Sequence, residues 1–338
     1  MKQRTTVMSG VQPSGDLHIG NWLGAIRRWV AAQDEWEGFF CVVDLHALTE
    51  PRHPALLHEK TLEVAAIYLA CGLDPDRSRI FLQSHVPAHS ELAWLLECFL
   101  PMGWLERMTQ FKVRSRGDRE RASVGLFNYP ALMSADILLY RPELVPVGAD
   151  QRQHLEVTRD VAQRINRRFG KLLTIPEAHV GLAGARIMGL DDPTAKMSKT
   201  AAAGAPNHAI AILDPPDAIH RKLGRAVTDR QSEVRPPLSA GVANLAEIYR
   251  AVEGMSEEAA LELFQGRTYA HLKREVADAL VAALEPVQLR YREIRDDEEA
   301  LRSVLEAGAS AAIEESGRTL SAIREAVGLV RRERARST

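Results

Sequence analysis

The apolar residues in the first hundred positions alternate between short unbroken runs and stretches with helical spacing. Three runs, at 5–8, 39–43 and 80–82, have the length and composition of strands, and the continuous apolar run at 39–43 predicts a buried parallel one. Helical spacing follows over 22–30, over 54–71 with Gly72 at the expected helix end, and from about 90 onward. Strands that alternate with helices predict a parallel, doubly wound α/β sheet, in which ligands bind beyond the carboxyl ends of the strands.

The rest of the chain is predicted to be mainly helical. From 104 to 170 the pattern is helical apart from a short extended run at 144–147, and residues 186–190 resemble a further strand. The small residues of 201–207 predict a mobile segment, and the spacing is helical from about 217 to the end. We therefore expect an α/β domain over 1–210, with a helical insertion over about 104–185, and an all-helical domain over 211–338.

The composition narrows the class of protein. The 338 residues carry a formal net charge of −2, so no overall basic field indicates nucleic acid, and any RNA contact must use a local patch. Cys41, Cys71 and Cys98 lie far apart in apolar surroundings, which predicts buried, reduced thiols of a cytoplasmic protein. Because the sequence has no CxxC pair, signal peptide or long apolar run, we expect no structural zinc, iron–sulfur site or membrane anchor.

A turn that contains glycines joins the first predicted strand to the first helix. Free backbone N–H groups and the helix dipole favour an anion at such a helix N-terminus. The turn is not a P-loop and lacks the GxGxxG spacing, and it contains His18-Ile19-Gly20-Asn21. Taken alone, these four residues are equally typical of an ordinary turn with an exposed histidine.

Three further segments carry candidate chemistry. Lys196 and Lys199 stand three residues apart and can close over a polyphosphate, although a bare KxxK pair is more often solvent-facing. Asp150 can accept a hydrogen bond from ribose hydroxyls or can cap a helix. A basic cluster is compatible with a solvated helix face or with an RNA patch, and it consists of Arg107, Lys112, Arg114, Arg116, Arg119 and Arg121.

Together, these segments resemble the signature motifs of class I aminoacyl-tRNA synthetases. HIGN is similar to the HIGH motif, KMSKT to the KMSKS loop, and GADQRQH to the GxDQxxH element of the tryptophan and tyrosine branch. From about Val7 to Gly328 the chain resembles the bacterial tryptophanyl-tRNA synthetases, through strings that include SGVQPSGDLHIGN, CVVDLHALT, YPALMSADILLY and ARIMGLDDPTAKMSK.

The resemblance implies a Rossmann-type domain that binds ATP and amino acid, and a C-terminal helical domain that helps to bind tRNA. Such an enzyme forms tryptophanyl-adenylate and pyrophosphate, with Mg²⁺ shielding the leaving group, and then charges tRNA(Trp) as a cytoplasmic homodimer. Apolar helices near 92–99 and 132–139 are interface candidates that could equally be core. Catalytic roles carry over to Gln12, His18, Lys196 and Lys199, and ATP contacts to Gln12, Pro13, Ser14, His18, Gly20, Asn21, Gly148, Ala149, Asp150, Ile187, Lys196, Met197, Ser198, Lys199 and Thr200.

The resemblance also implies the residues of the tryptophan site. Asp136 would receive the indole N–H, which is a donor only, and a ligand without that group would leave a buried carboxylate unpaired. Met8 and Met133 would form the apolar walls of the pocket. The groups near the substrate's ammonium and carboxylate would be Tyr129, Gln151 and His46, and no protein ligand to a metal is implied.

Two alternatives stand beside this interpretation. A tyrosyl-tRNA synthetase shares the first and last motifs, although it usually lacks ARIMxLxDPTxKMSK. An inactive paralogue would keep the fold as an RNA- or protein-binding module, and the intact His18, Lys196, Lys199 and Asp136 argue against it. Departures from the common pattern leave details of loop closure open, and they lie at Met8, Asn21, Arg114, Thr200 and Ala201.

Overall fold

A five-stranded parallel sheet forms the centre of the molecule. The computed structural model describes residues 4–114, 122–146, 151–178 and 186–330. The strands are β1 (Thr5–Val11), β2 (Trp36–Val42), β3 (Ser78–Leu82), β4 (Leu144–Val145) and β5 (Glu177–Ala178). They lie in the order β3-β2-β1-β4-β5, and every neighbouring pair is parallel. The predicted doubly wound α/β class is confirmed.

Helices surround this sheet and make up the C-terminal third of the chain. The first helical stretch has a π-helical turn, Trp22–Ile26, between two α-helical pieces, and a 3₁₀ turn, Gln83–His85, follows β3. The α-helices are α1 (Ile19–Asn21), α2 (Arg27–Ala32), α3 (Asp44–Ala47), α4 (Pro54–Ala70), α5 (Ala88–Glu97), α6 (Met102–Glu106), α7 (Thr109–Arg114), α8 (Val124–Leu138), α9 (Arg152–Phe169), α10 (Lys199–Gly204), α11 (Pro216–Gly224), α12 (Ala240–Glu253), α13 (Glu257–Phe264), α14 (Tyr269–Asp296) and α15 (Glu298–Ala326).

Strand β2, which lies between β3 and β1, is buried on both faces, and this explains its apolar run. Phe40 and Val42 pack into a core that includes residues of α4 and α14. Phe39 and Cys41 point to the opposite face and pack into a second core with residues of α5, α8 and α15. Because side chains alternate along a strand, a strand covered on both faces needs apolar residues at every position.

The C-terminal helices pack directly on the α/β part. α14 contacts α4, and α15 contacts β3, which is an edge strand of the sheet. Gly308 of α15 lies so close to β3 that an added Cβ would stand 2.0 Å from the carbonyl oxygen of Ile80. A helix in this position covers a strand edge that would otherwise be open to pairing. The domain boundary at 210/211 stays a prediction, and the hydrophobic core runs continuously across it.

Several local expectations were wrong. Residues 186–190, which resembled a further strand, do not join the sheet, and Met188 makes an isolated antiparallel bridge with Lys196. The fifth strand is β5, which is two residues long. The mobility expected for 201–207 stays a prediction, and the first four of these residues lie in α10. Cys41 is buried, but Cys71 is only half-buried and Cys98 is exposed, because it lies at the C-terminal end of α5.

Two expectations concern the surface. The proposed interface helices near 92–99 and 132–139 mostly face inward, since α5 and α8 pack against each other and Leu92, Leu96 and Leu138 are buried. Among the described residues, no helix combines the length and the apolar character needed to cross a membrane.

Candidate active site

The turn after β1 and the Lys199 side chain meet at the carboxyl edge of the sheet. Lys199 Nζ donates a hydrogen bond to the backbone carbonyl of Gln12 at 2.8 Å. Pro13 is buried and Ser14 half-buried in the same turn. Gly15 lies beside Lys199, because an added Cβ would stand 3.6 Å from Lys199 Cβ. The structure therefore brings the glycine-containing turn and the second lysine of KMSKT together.

The ammonium group of Lys199 lies in an environment that disfavours its charge. Burial lowers the pKa of Lys199 from 10.5 to about 8. Glu63 and Asp16 oppose this effect, whereas the positive charges of Arg52 and Lys60 lower the pKa further. A bound polyphosphate would supply the negative charge that this group needs, so the local electrostatics favour an anionic ligand.

His18 is buried at the start of the first helical stretch. Its backbone N–H donates to Asn21 Oδ1 at 3.1 Å, which fixes the turn that leads into α1. Burial, together with the nearby Lys199 and Lys196, lowers the pKa of His18 to about 3, so the imidazole is neutral at pH 7. Its Nδ1 is buried without a hydrogen-bond partner among the described residues. An added Cβ on Gly20 would stand 2.9 Å from that nitrogen, so only glycine leaves it room.

The KMSKT segment forms the second arm of a short antiparallel hairpin. Met197 N–H donates to the Ile187 carbonyl at 3.1 Å, and Gly189 N–H donates to the Ala195 carbonyl at 2.8 Å. Ile187 and Met197 are buried, and Lys196 is exposed between them. Ser198 then caps α10, its Oγ accepting from the backbone of the third residue on. This pairing explains the strand-like pattern at 186–190.

A buried histidine ties the hairpin to the rest of the site. His208 Nδ1 lies 2.6 Å from Asp191 Oδ1, and its Nε2 lies 3.3 Å from the Lys196 carbonyl. The ring packs so tightly that an added Cβ on Gly189 would stand 2.3 Å from it. Just after His208, the Ile210 carbonyl accepts a hydrogen bond at 2.9 Å from Ile19 N–H, which belongs to the turn of His18. His208 and the residues after it therefore connect the KMSKT hairpin to the turn that contains His18.

The Asp136 carboxylate is buried at the other end of the site. Its Oδ1 accepts from Gln83 Nε2 at 2.6 Å and from His89 Nδ1 at 2.6 Å, and its Oδ2 accepts from His46 Nε2 at 2.7 Å. Burial alone would raise the pKa of Asp136, but the contacts with His46 and His89 hold it below its usual range. The carboxylate is therefore ionised and acts only as an acceptor.

The other predicted tryptophan residues lie around this carboxylate. Met8 is buried in β1, and Met133 is partly buried against the cluster of Ile137, which follows Asp136 in α8. The Tyr129 ring meets the His46 ring edge-on at 6.2 Å, and the Tyr129 hydroxyl lies 2.5 Å from His154 Nε2. Gln151 is half-buried and stands at the N-cap position of α9.

Gln12 and His46 connect the two ends of the site. Gln12 Nε2 donates to the His46 carbonyl at 3.0 Å, while the Gln12 carbonyl accepts from Lys199. His46 in turn donates to Asp136. Phosphate-binding candidates and the buried carboxylate are therefore parts of one hydrogen-bonded arrangement, at the carboxyl edge that the topology favours for ligands.

Some predicted residues lie outside the described part of the chain. These are Gly148, Ala149 and Asp150, the side chain of Thr200, and Arg116, Arg119 and Arg121 of the basic cluster, along with the side chain of Arg114. Their assignments stay predictions. The other two members of the cluster, Arg107 and Lys112, are exposed.

Sequence reasoning placed Gln83 at the ligand-binding edge but did not connect Gln83, His89 or Tyr140 with the predicted selector Asp136. Gln83 and His89 bind Asp136 directly, and Tyr140 binds His89. The position of Gln83 in the sequence indicated a place near the ligand, since it directly follows a predicted strand at the ligand-binding edge. No such indication existed for His89 and Tyr140, because helical periodicity does not show which buried polar side chains bind each other.

The family model described as tRNA synthetases class I (W and Y) matches residues 1–285. The chain is 52% identical to "Tryptophan--tRNA ligase" of Caldanaerobacter subterraneus over 97% of this chain and 99% of that one. It is 49% identical to the Wolinella succinogenes protein of the same name, over 96% and 98% of the two chains.

Solved structures agree with this relationship. The tryptophanyl-tRNA synthetase of Mycoplasma pneumoniae superposes with a TM-score of 0.88 at 33% identity, over 97% of this chain and 99% of that one. The Campylobacter jejuni enzyme, solved with ADP and tryptophan, has a TM-score of 0.81 at 35% identity, over 96% and 100%. The chain therefore belongs to the class I tRNA synthetases for tryptophan and tyrosine and, within them, to the tryptophan–tRNA ligases.

Proposed function

We propose that this chain activates tryptophan with ATP in the site between Lys199 and Asp136, and then transfers it to the 3′ end of tRNA(Trp). The observation that carries the proposal is the hydrogen-bonded path from Lys199 through Gln12 and His46 to the buried Asp136. The path joins a cationic end suited to polyphosphate with a carboxylate suited to indole. A relative solved with ADP and tryptophan supports an adenine nucleotide and tryptophan as the ligands here.

Adenylation needs positioning and charge stabilisation more than proton transfer. The tryptophan carboxylate is already the nucleophile, and it attacks the α-phosphate of ATP and displaces pyrophosphate. Lys199 and Lys196 would stabilise charge on the phosphates. The neutral His18, with a buried nitrogen that has no partner among the described residues, would donate one hydrogen bond to a phosphate oxygen.

We assign tryptophan recognition to the carboxylate of Asp136, with Met8 and Met133 as apolar walls. Tyr129, His46 and Gln151 would contact the ammonium and carboxylate of the amino acid. Gly20, Asn21, Ile187, Met197 and Ser198 would shape the nucleotide site, because they form the turn and the hairpin around His18 and Lys199.

Mg²⁺ would enter with the nucleotide. Within the described ranges, no group of three or more histidine, cysteine, aspartate or glutamate side chains is arranged to hold a metal ion. Mg²⁺ is often bound mainly through substrate phosphates and water, so this donor set fits an ion carried by ATP. When bound, the ion would neutralise part of the charge on the leaving pyrophosphate.

We further propose a cytoplasmic homodimer, with the C-terminal helices contributing to tRNA binding. The free thiols of Cys41, Cys71 and Cys98 fit a reducing compartment. The dimer interface is proposed at a shallow apolar hollow lined by Met102, Phe111, Val124 and Phe127. Met102 is 67% exposed and Val124 is 74% exposed there, so both side chains are available for contact with a second subunit. Light scattering at micromolar concentration should give a dimer mass, and Val124→Asp should shift it toward the monomer. A native monomer would contradict the assembly.

ATP–pyrophosphate exchange, with tryptophan and tyrosine compared side by side, tests the reaction. Exchange should depend on tryptophan, and the same preparation should charge tRNA(Trp). A preference for tyrosine would support the tyrosine alternative, and no exchange with either amino acid would indicate an inactive paralogue.

A further inference from the structure

The two oxygens of Asp136 are not equivalent. Oδ1 accepts hydrogen bonds from both Gln83 and His89, whereas Oδ2 accepts one, from His46. A carboxylate oxygen has two lone pairs in its plane, so the contacts within the described residues fill Oδ1 and leave one acceptor position on Oδ2. Oδ2 is therefore the oxygen with capacity for an indole N–H.

The contact with Oδ1 continues away from the pocket into the core. His89 Nε2 lies 2.8 Å from the Tyr140 hydroxyl, which is hydrogen-bonded to the side chain of Ser316. Ser316 belongs to α15, and its Oγ also lies 3.3 Å from the Ile313 carbonyl. His89, Tyr140 and Ser316 are all buried, at 0%, 1% and 0% exposure.

The chemistry of these groups determines which atom donates and which accepts in each of these hydrogen bonds. The ionised Asp136 can only accept, so His89 Nδ1 must carry its hydrogen. In the tautomer with its hydrogen on Nδ1, Nε2 then accepts from the Tyr140 hydroxyl. Ser316 shares its single hydroxyl hydrogen between the Tyr140 oxygen and the Ile313 carbonyl, both of which accept. The rings cannot easily turn out of this alignment, because Phe39 stacks on Tyr140 at 4.5 Å and Phe81 lies 6.0 Å from His89.

We propose that His89, Tyr140 and Ser316 are positioning residues that hold Asp136 with Oδ2 toward the indole N–H and thereby set the preference for tryptophan. The proposal rests on the assignment of Asp136 as the selector. It adds that a residue of the C-terminal helix α15 acts in amino-acid selection, through hydrogen bonds that hold the carboxylate from behind. Outer partners of this kind commonly orient the group that touches the ligand.

The test compares tryptophan with its sulfur analogue, in which the N–H of the ring is replaced by sulfur. The kcat/KM ratio for the two in pyrophosphate exchange measures the contribution of the N–H. Tyr140→Phe keeps the ring and removes only the hydroxyl, and it should reduce this ratio about three- to tenfold, the value of one buried hydrogen bond. The KM for ATP should not change. Ser316→Ala should reduce the ratio in the same direction by a smaller factor.

Thr319→Val is the matched control. Thr319 lies one turn from Ser316 on α15, is 2% exposed, and has a hydroxyl without a hydrogen-bond partner in the described ranges. Its replacement should leave the ratio at the native value. A second pair tests the ring: His89→Asn retains an amide donor near the Nδ1 position and should keep more of the ratio than His89→Leu.

The proposal is overturned if Tyr140→Phe, folded by circular dichroism, keeps the native ratio, or if it lowers kcat/KM equally for both amino acids. Failure of the underlying assignment gives a different result. In that case the native protein shows no preference for tryptophan over the sulfur analogue, or Asp136→Ala retains the preference, whatever the outer residues do.

Discussion

The depressed pKa of Lys199 predicts that ATP binding is coupled to proton uptake at alkaline pH. The ammonium group loses its proton around pH 8 in the free protein, as described above. Negative phosphate oxygens stabilise the charged form, so ATP should raise the pKa of this group toward its usual value. At about pH 9, roughly one-tenth of the free protein carries the charge. ATP affinity should therefore fall about tenfold between about pH 7 and pH 9 if binding requires the charged form.

Calorimetric titration with ATP in the absence of tryptophan measures this coupling, because the amino group of tryptophan then makes no contribution. Two buffers with different ionisation enthalpies should give different heats at about pH 9 and nearly equal heats at about pH 7. Lys199→Arg is the control, since a guanidinium stays protonated throughout this range and should abolish the loss of affinity. A native protein with constant ATP affinity from pH 7 to about pH 9, or an Lys199→Arg variant with the same decline, would refute the role of Lys199.

Three other outcomes are expected. Lys196→Ala should slow adenylate formation roughly 10²–10³-fold, because one donor to the transition state is lost. Tryptophan binding in the absence of ATP should not change, and an unchanged rate of pyrophosphate exchange would contradict the assignment. Because the pKa of His18 is about 3 when folded and near 6.5 when unfolded, the unfolded chain binds more protons between these values. The free energy of unfolding, from urea titrations, should thus fall more steeply below about pH 6.5 for native protein than for His18→Asn, and parallel profiles would count against this burial. Gly308→Ala should cost about 1–3 kcal/mol by forcing α15 away from Ile80, while Gly317→Ala, which meets nothing within 4 Å, should be neutral or slightly stabilising; equal effects would rule out the close approach.

The sequence predicted best those elements whose apolar pattern is compatible with only one type of secondary structure. The three short runs are β1, β2 and β3, which are parallel strands, and β2 and β3 are largely buried. The helix expected over 54–71 is α4, and Gly72 follows it with a φ of +104°, a conformation that other residues rarely adopt. These local rules need no knowledge of what packs against the element.

The features that escaped prediction depend on contacts between distant segments. β5 has two residues and no periodicity of its own, and the 186–190 segment pairs with the lysine segment as a hairpin instead of joining the sheet. The partners of Asp136 lie 47 and 53 positions away for His89 and Gln83. The phosphate and tryptophan assignments of single residues stay predictions until the variants are measured.

The close packing of α15 on β3 has a consequence for biosynthesis. β3 ends at Leu82, and Gly308 follows about 225 residues later, so a ribosome needs roughly 10–45 s to make the segment that covers this edge. During that interval the outer edge of β3 is open to pairing with other chains. Nascent chains shortened before α15 should therefore need chaperone protection and aggregate without it, and late stop codons should reduce soluble yield more sharply than the few lost residues suggest.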